Sequence, residues 1–171
     1  MRPRLPAIGL LGLVLAVAAS GCGFHLRTWD LQGAVESAWV EASPRHDLAE
    51  PMRRALGQAG VEAARSRREA ALVIDLMDQR QERRSASVSG QARAAEYEIT
   101  YAVQYRVTDA DGTELVPAQW IERQRVYRVD RANIVGSSEE QALLLREMRE
   151  DILQQILRTL SAVASRTDRA G

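Results

Sequence analysis

Lysine is missing altogether, cysteine occurs once, and histidine occurs only at positions 25 and 46. A single cysteine cannot close a disulfide within the chain, so stability has to come from a packed core, which 171 residues are enough to build. There is no HExxH, no GxSxG and no glycine-rich phosphate loop, so no sequence constellation for metal-assisted hydrolysis, an activated serine or nucleotide phosphates is present. Ser85, Ser87 and Ser89 fall in a polar stretch with no base beside them, and the carboxylates lie mostly among arginines, where i,i+4 pairing accounts for them. Basic and acidic residues balance at 23 each, which excludes the broad basic field of a general nucleic-acid binder. No apolar run reaches the roughly 20 residues that a membrane-crossing helix needs.

The longest such run is nonetheless informative. Arg2 and Arg4 precede residues 5 to 19, which carry no charge and are interrupted by Pro6, Gly9 and Gly12. This is the n-region and h-region of a secretory signal. Ala19-Ser20-Gly21-Cys22 follows directly and resembles the bacterial lipobox, with Ala19 where Leu is usual. The resemblance implies cleavage before Cys22 and acylation of its thiol and new amine. Several chains on one residue hold firmly, since each buried methylene adds about 0.8 kcal/mol. Loss of residues 1 to 21 removes two arginines and no acid, leaving a net charge of about −2.

Residues 22 to 33 read as a lipidated tether, 34 to 166 as one domain, and 167 to 171 as a frayed tail. Within the domain a short strand is expected over residues 35 to 42. Asp47-Leu48-Ala49-Glu50 has the spacing of a capping box, with Pro51 in the first turn; Leu48, Met52, Leu56 and Ala59 share a face, and Gly60 is a natural stop. Residues 70 to 79 read as a strand with Leu72, Ile74 and Leu76 on one side. In the clearest strand, Tyr97, Ile99, Tyr101, Val103, Tyr105 and Val107 alternate with polar or small residues. Asp109 to Gly112 is a turn signal, and a last strand is expected around residues 120 to 129, where Arg123 and Arg125 share a face with Ile121 and Tyr127. Ser138-Glu139-Glu140-Gln141 is a second capping box. Behind it Leu145, Met148, Ile152, Ile156, Leu160 and Val163 form one helical stripe reaching Arg166, about 40 Å long. The order β-α-β-β-β-α predicts an α+β sandwich, two helices on one face of a four-stranded mixed or antiparallel sheet.

Residues 79 to 93 hold Arg80, Arg83, Arg84 and Arg93 against one acid, Glu82. Two readings stand side by side. Either this is a solvated hairpin, or its guanidinium groups converge on phosphate through bidentate contacts.

Gly21-Cys22-Gly23-Phe24-His25-Leu26-Arg27 resembles the opening of LptE, the family of LPS-assembly lipoproteins; Ala95-Glu96-Tyr97 and Glu147-Met148 match family positions in a strand and in the last helix. The resemblance implies a non-enzymatic lipoprotein, with no cofactor beyond the lipid on Cys22, held on the periplasmic side of the outer membrane. It also implies that the chain plugs the β-barrel LptD one to one, aids assembly of that barrel and contacts lipopolysaccharide. Gly23, which is not Asp, is compatible with outer-membrane sorting. Where relatives have basic contact residues this chain has Gly90 and Gly136-Ser137-Ser138, so Arg80, Arg83, Arg84 and Arg93 are expected to serve collectively. Competing roles are an auxiliary lipoprotein of another envelope transporter and a lipid-anchored hydrolase.

Overall fold

The computed structural model describes residue 31 and residues 35–88, 94–130 and 134–167. In chain order these form β1 (Ser37–Ala42), α1 (Ala49–Gln58), β2 (Glu62–Ala63), a single 3-10 turn (Arg67–Glu69), β3 (Leu72–Val88), β4 (Ala94–Thr108), β5 (Glu114–Asp130) and α2 (Ile134–Thr167). The strands make one sheet in the order β2-β1-β3-β4-β5. β1 runs parallel to β2 and β3, whereas β3, β4 and β5 are antiparallel neighbours. The α+β architecture expected from the sequence is present, with five strands in place of four. The additional strand, β2, has two residues, too few to show any period.

Both helices cover the same face. Met148, Ile152, Ile156 and Leu160 of α2, Met52 and Leu56 of α1 and Leu48 at its start meet Ile74, Ile99, Val103 and Val107 of the sheet, all nearly free of solvent. Each such side chain contributes about 1.5–3 kcal/mol by leaving water. Ten residues are too few for an isolated helix to persist, so this packing is what holds α1. Leu31 is buried too, and its amide donates to the Ala59 carbonyl at 3.2 Å, so the packed domain reaches into the stretch read as tether.

Neither capping box forms. α1 is capped at Leu48, whose amide donates to His46 Nδ1 at 3.2 Å, while the Asp47 carboxylate is drawn 2.9 Å from Arg149 on α2. α2 begins at Ile134, a turn before the second box, and Ser138 Oγ donates back to the Val135 carbonyl. Local cap geometry lost to tertiary partners in the first case and to an earlier helix start in the second. The turn signals did translate into structure: Gly60 and Gly112 have φ of 80° and 88°, a conformation that costs glycine nothing.

β3 and β5 are longer than the expected strands. β3 does not stop near residue 79 but continues to Val88, paired with β4, so residues 79 to 88 are strand and not loop. β1 ends beside Leu76, and beyond it the sheet is a three-stranded ribbon. β5 starts at Glu114, six residues earlier than expected. A register shift between the Tyr105 and Val107 pairings accommodates Pro117, which has no amide hydrogen to give.

The direction of the elements gives the domain two ends. β1 and β3 begin, α1 ends and the β4–β5 turn lies at one end, which also holds Leu31; at about 3.3 Å per residue, 17-residue β3 carries the chain roughly 55 Å to the other.

Candidate functional site

The arginine-rich half of β3 owes its layout to one irregularity. Before Met77 the even-numbered residues Leu72, Ile74 and Leu76 face the helices. The register slips between Leu76 and Asp78, leaving Met77 exposed, and from there the odd-numbered Gln79, Gln81 and Arg83 share the helix side with Val103, Tyr101 and Ile99 directly across. A bulge reverses which side chains point where. Arg80 and Arg84 therefore occupy the bare face and Arg83 the helix-bearing face, so these three guanidinium groups do not converge. Arg93 lies outside the described residues, as do Cys22 and Gly90. Gly136, Ser137 and Ser138 are in the first turns of α2.

The three described arginines also differ in what holds them. Arg80 lies 4.2 Å over the Trp120 ring and 3.5 Å from Asp78; Arg84 pairs with Glu82 at 2.7 Å. Arg83 pairs with no carboxylate among the described residues. It lies 4.9 Å over the Tyr97 ring, and the neighbouring Tyr127 hydroxyl is the main cause of its strengthened hold on its proton. The Tyr127 hydroxyl in turn donates to Gln141 Oε1 at 2.7 Å, tying the group to α2. The outcome is an exposed cation oriented by two tyrosines, with donors left for an anion.

Arg123 and Arg125, which share a face with apolar residues on β5, reach across to α2. Arg125 pairs with Asp151 at 2.8 Å and Arg123 donates to Gln155. Between the helices, Tyr101 hydroxyl donates to Gln79 Oε1 at 3.4 Å and lies beneath Arg149; burial pushes its phenol up to about 12, so it stays protonated. Tyr97, Tyr127 and Trp120 were read only as strand residues, and no local signal marks them as supports for arginines on β3, two strands away in Tyr127 and Trp120.

His46 is buried, and its Nδ1 is engaged by the Leu48 amide. Among the described residues no group of three or more potential ligands could hold a metal ion, and no helix is long and apolar enough to cross a membrane.

Comparison with known proteins bears on this arrangement. The family model for LptE, lipopolysaccharide-assembly, matches residues 35–160. The LPS-assembly lipoprotein LptE of Photorhabdus laumondii is 29% identical over 95% of this chain and 88% of its own length. An uncharacterized lipoprotein B from Nitrosomonas europaea, solved by NMR, superimposes with a TM-score of 0.70 at 26% identity, covering 84% of this chain and 93% of that one. The rare lipoprotein B from Shewanella oneidensis, a crystal structure, shares the fold with a TM-score of 0.67 at 23% identity over 78% of this chain and 99% of its own.

Proposed function

The chain belongs to the LptE family, and from that premise we propose that it is an outer-membrane lipoprotein that plugs the LptD barrel and contacts lipopolysaccharide without catalysing a reaction. Residues 1 to 21 are removed and Cys22 carries the lipid, on the periplasmic side of the membrane. The polarity of the fold is the observation that carries this reading. Leu31 is nine residues past Cys22, a span of at most about 30 Å, and it is fixed to the end of the domain where β1 and β3 begin. The β3–β4 hairpin runs the opposite way. A chain anchored at Cys22 thus presents its long ribbon away from its own anchorage, as a plug has to. The ribbon's bare face carries charges of both signs, in keeping with a polar barrel lumen. Arg83, without a carboxylate partner among the described residues and set beside two tyrosines, is the foremost contact for a lipid phosphate, with Arg80, Arg84 and Arg93 completing the basic set.

The test is purification of the tagged lipoprotein from outer membranes in mild detergent. A large barrel should accompany it, and mass spectrometry should find Cys22 acylated. Replacing Arg80, Arg83, Arg84 and Arg93 together with Gln should weaken lipopolysaccharide binding. An unmodified Cys22, no barrel, or unchanged binding each removes the corresponding part of the reading.

A further inference from the structure

On the face that the helices leave bare, β3, β4 and β5 enclose a hollow of about 360 Å³. Its floor is Thr100 and Ala102, two short side chains at successive outward positions of β4. Arg80 and Glu122 flank Ala102 in one cross-strand row, and Glu82 and Gln124 flank Thr100 in the next. Strands lie about 4.8 Å apart, so the opposing rims stand roughly 10 Å from each other. Arg84, Glu98 and Trp120 close the ends.

The chemistry of the rim narrows what could occupy the hollow. An anion would meet Glu82, Glu98 and Glu122, and a compact cation would meet Arg80 and Arg84. An apolar ligand would strip water from all five charges with nothing in return. These groups are also held in place already, Arg80 over Trp120, Arg84 on Glu82 and Gln124 Nε2 on Glu122 Oε1 at 3.4 Å, so they offer oriented donors and acceptors together. Hydroxyl groups answer both kinds, because each donates once and accepts twice. A ring of C–H bonds above those hydroxyls suits the exposed part of the Trp120 indole. The volume is at the small end of ligand sites, room for one or two rings.

We infer that this hollow binds an uncharged, hydroxyl-rich sugar. The inference rests on the lipopolysaccharide reading and deepens it: the bare face takes the sugar portion, on the opposite side of the ribbon from Arg83.

Isotope-labelled mature chain titrated with an uncharged hexose oligosaccharide released from the lipopolysaccharide core tests it by NMR. The Trp120 indole N–H and the amides of Ala102 and Gln124 should shift. Ala102→Leu, which fills the floor, should weaken this binding roughly tenfold. Glu122→Gln, which leaves the packing alone, should weaken it roughly fivefold and stands in if the first variant does not fold. Intact lipopolysaccharide is titrated in parallel. No shifts at the hollow, or shifts that neither variant diminishes, overturn the sugar site; if intact lipopolysaccharide still binds, the reading beneath it survives, and if it does not, both fail.

Discussion

Asp75 is the most buried acid in the described domain, and removing it should cost more than removing a surface ion pair. Its side chain is 8% exposed and faces Arg106 across the β3–β4 pairing. It accepts from Arg106 Nε at 3.1 Å and Nη2 at 2.8 Å, and from Arg67 Nη1 at 2.9 Å. Asp75→Ala leaves two guanidinium groups without their shared acceptor. Breaking a fully buried pair costs about 3–5 kcal/mol. Here the Arg106 and Arg67 side chains are 34% and 41% exposed, so water re-solvates them, and Arg106 keeps Glu114 at 3.7 Å. The expected loss is therefore about 2–3 kcal/mol, a fall in Tm of roughly 5–10 °C. Urea unfolding followed by circular dichroism measures it. A cycle with Arg106→Gln should return a coupling of about 1–2 kcal/mol. Additivity of the two substitutions would refute the argument that this carboxylate is held by what it touches.

His46 and Gly112 give two more expectations. Burial of His46 lowers its pKa from 6.5, outweighing the nearby Asp78 carbonyl and the charges of Asp47 and Asp78. The unfolded chain then takes up the proton first, so stability is full above about pH 6.5 and declines as pH falls towards the depressed folded value. Melts between pH 7.5 and 5 should show this slope in the wild type and a flatter one in His46→Gln; equal slopes would remove the assignment. Gly112→Ala meets no atom within 4 Å of the added methyl, yet φ is 88°, so a loss of about 1 kcal/mol from backbone strain alone is expected in denaturant titrations.

What could be read from the sequence followed burial. The stripe from Leu145 to Val163 and the alternation from Tyr97 to Val107 were legible because one face of each is dry. The outer half of β3 was not, because Arg80, Glu82 and Arg84 face water on one side while Gln81, Arg83 and Ser85 stay exposed on the other, so no period of apolar residues marks it. Composition marked the arginines as a group. It could not say which of them share a face, because that depends on a single slip at Met77, and a bulge has no residue signature here. The first capping box matched a local pattern whose Asp47 found a better partner across more than a hundred residues of chain, and the second was overtaken by an earlier helix start.

Because β1 stops beside Leu76, the flank of β3 beyond it offers a row of amide and carbonyl groups to any extended peptide that drifts near, and β5 does the same on the far side. Long bare margins of this kind invite copies of a chain to stack into fibres. Arg80, Glu82, Arg83 and Arg84 on one margin and the kink around Pro117 on the other make stacking unfavourable. The arginines are thus under two demands at once, and a substitution made to silence a ligand contact also strips away the guard against self-association.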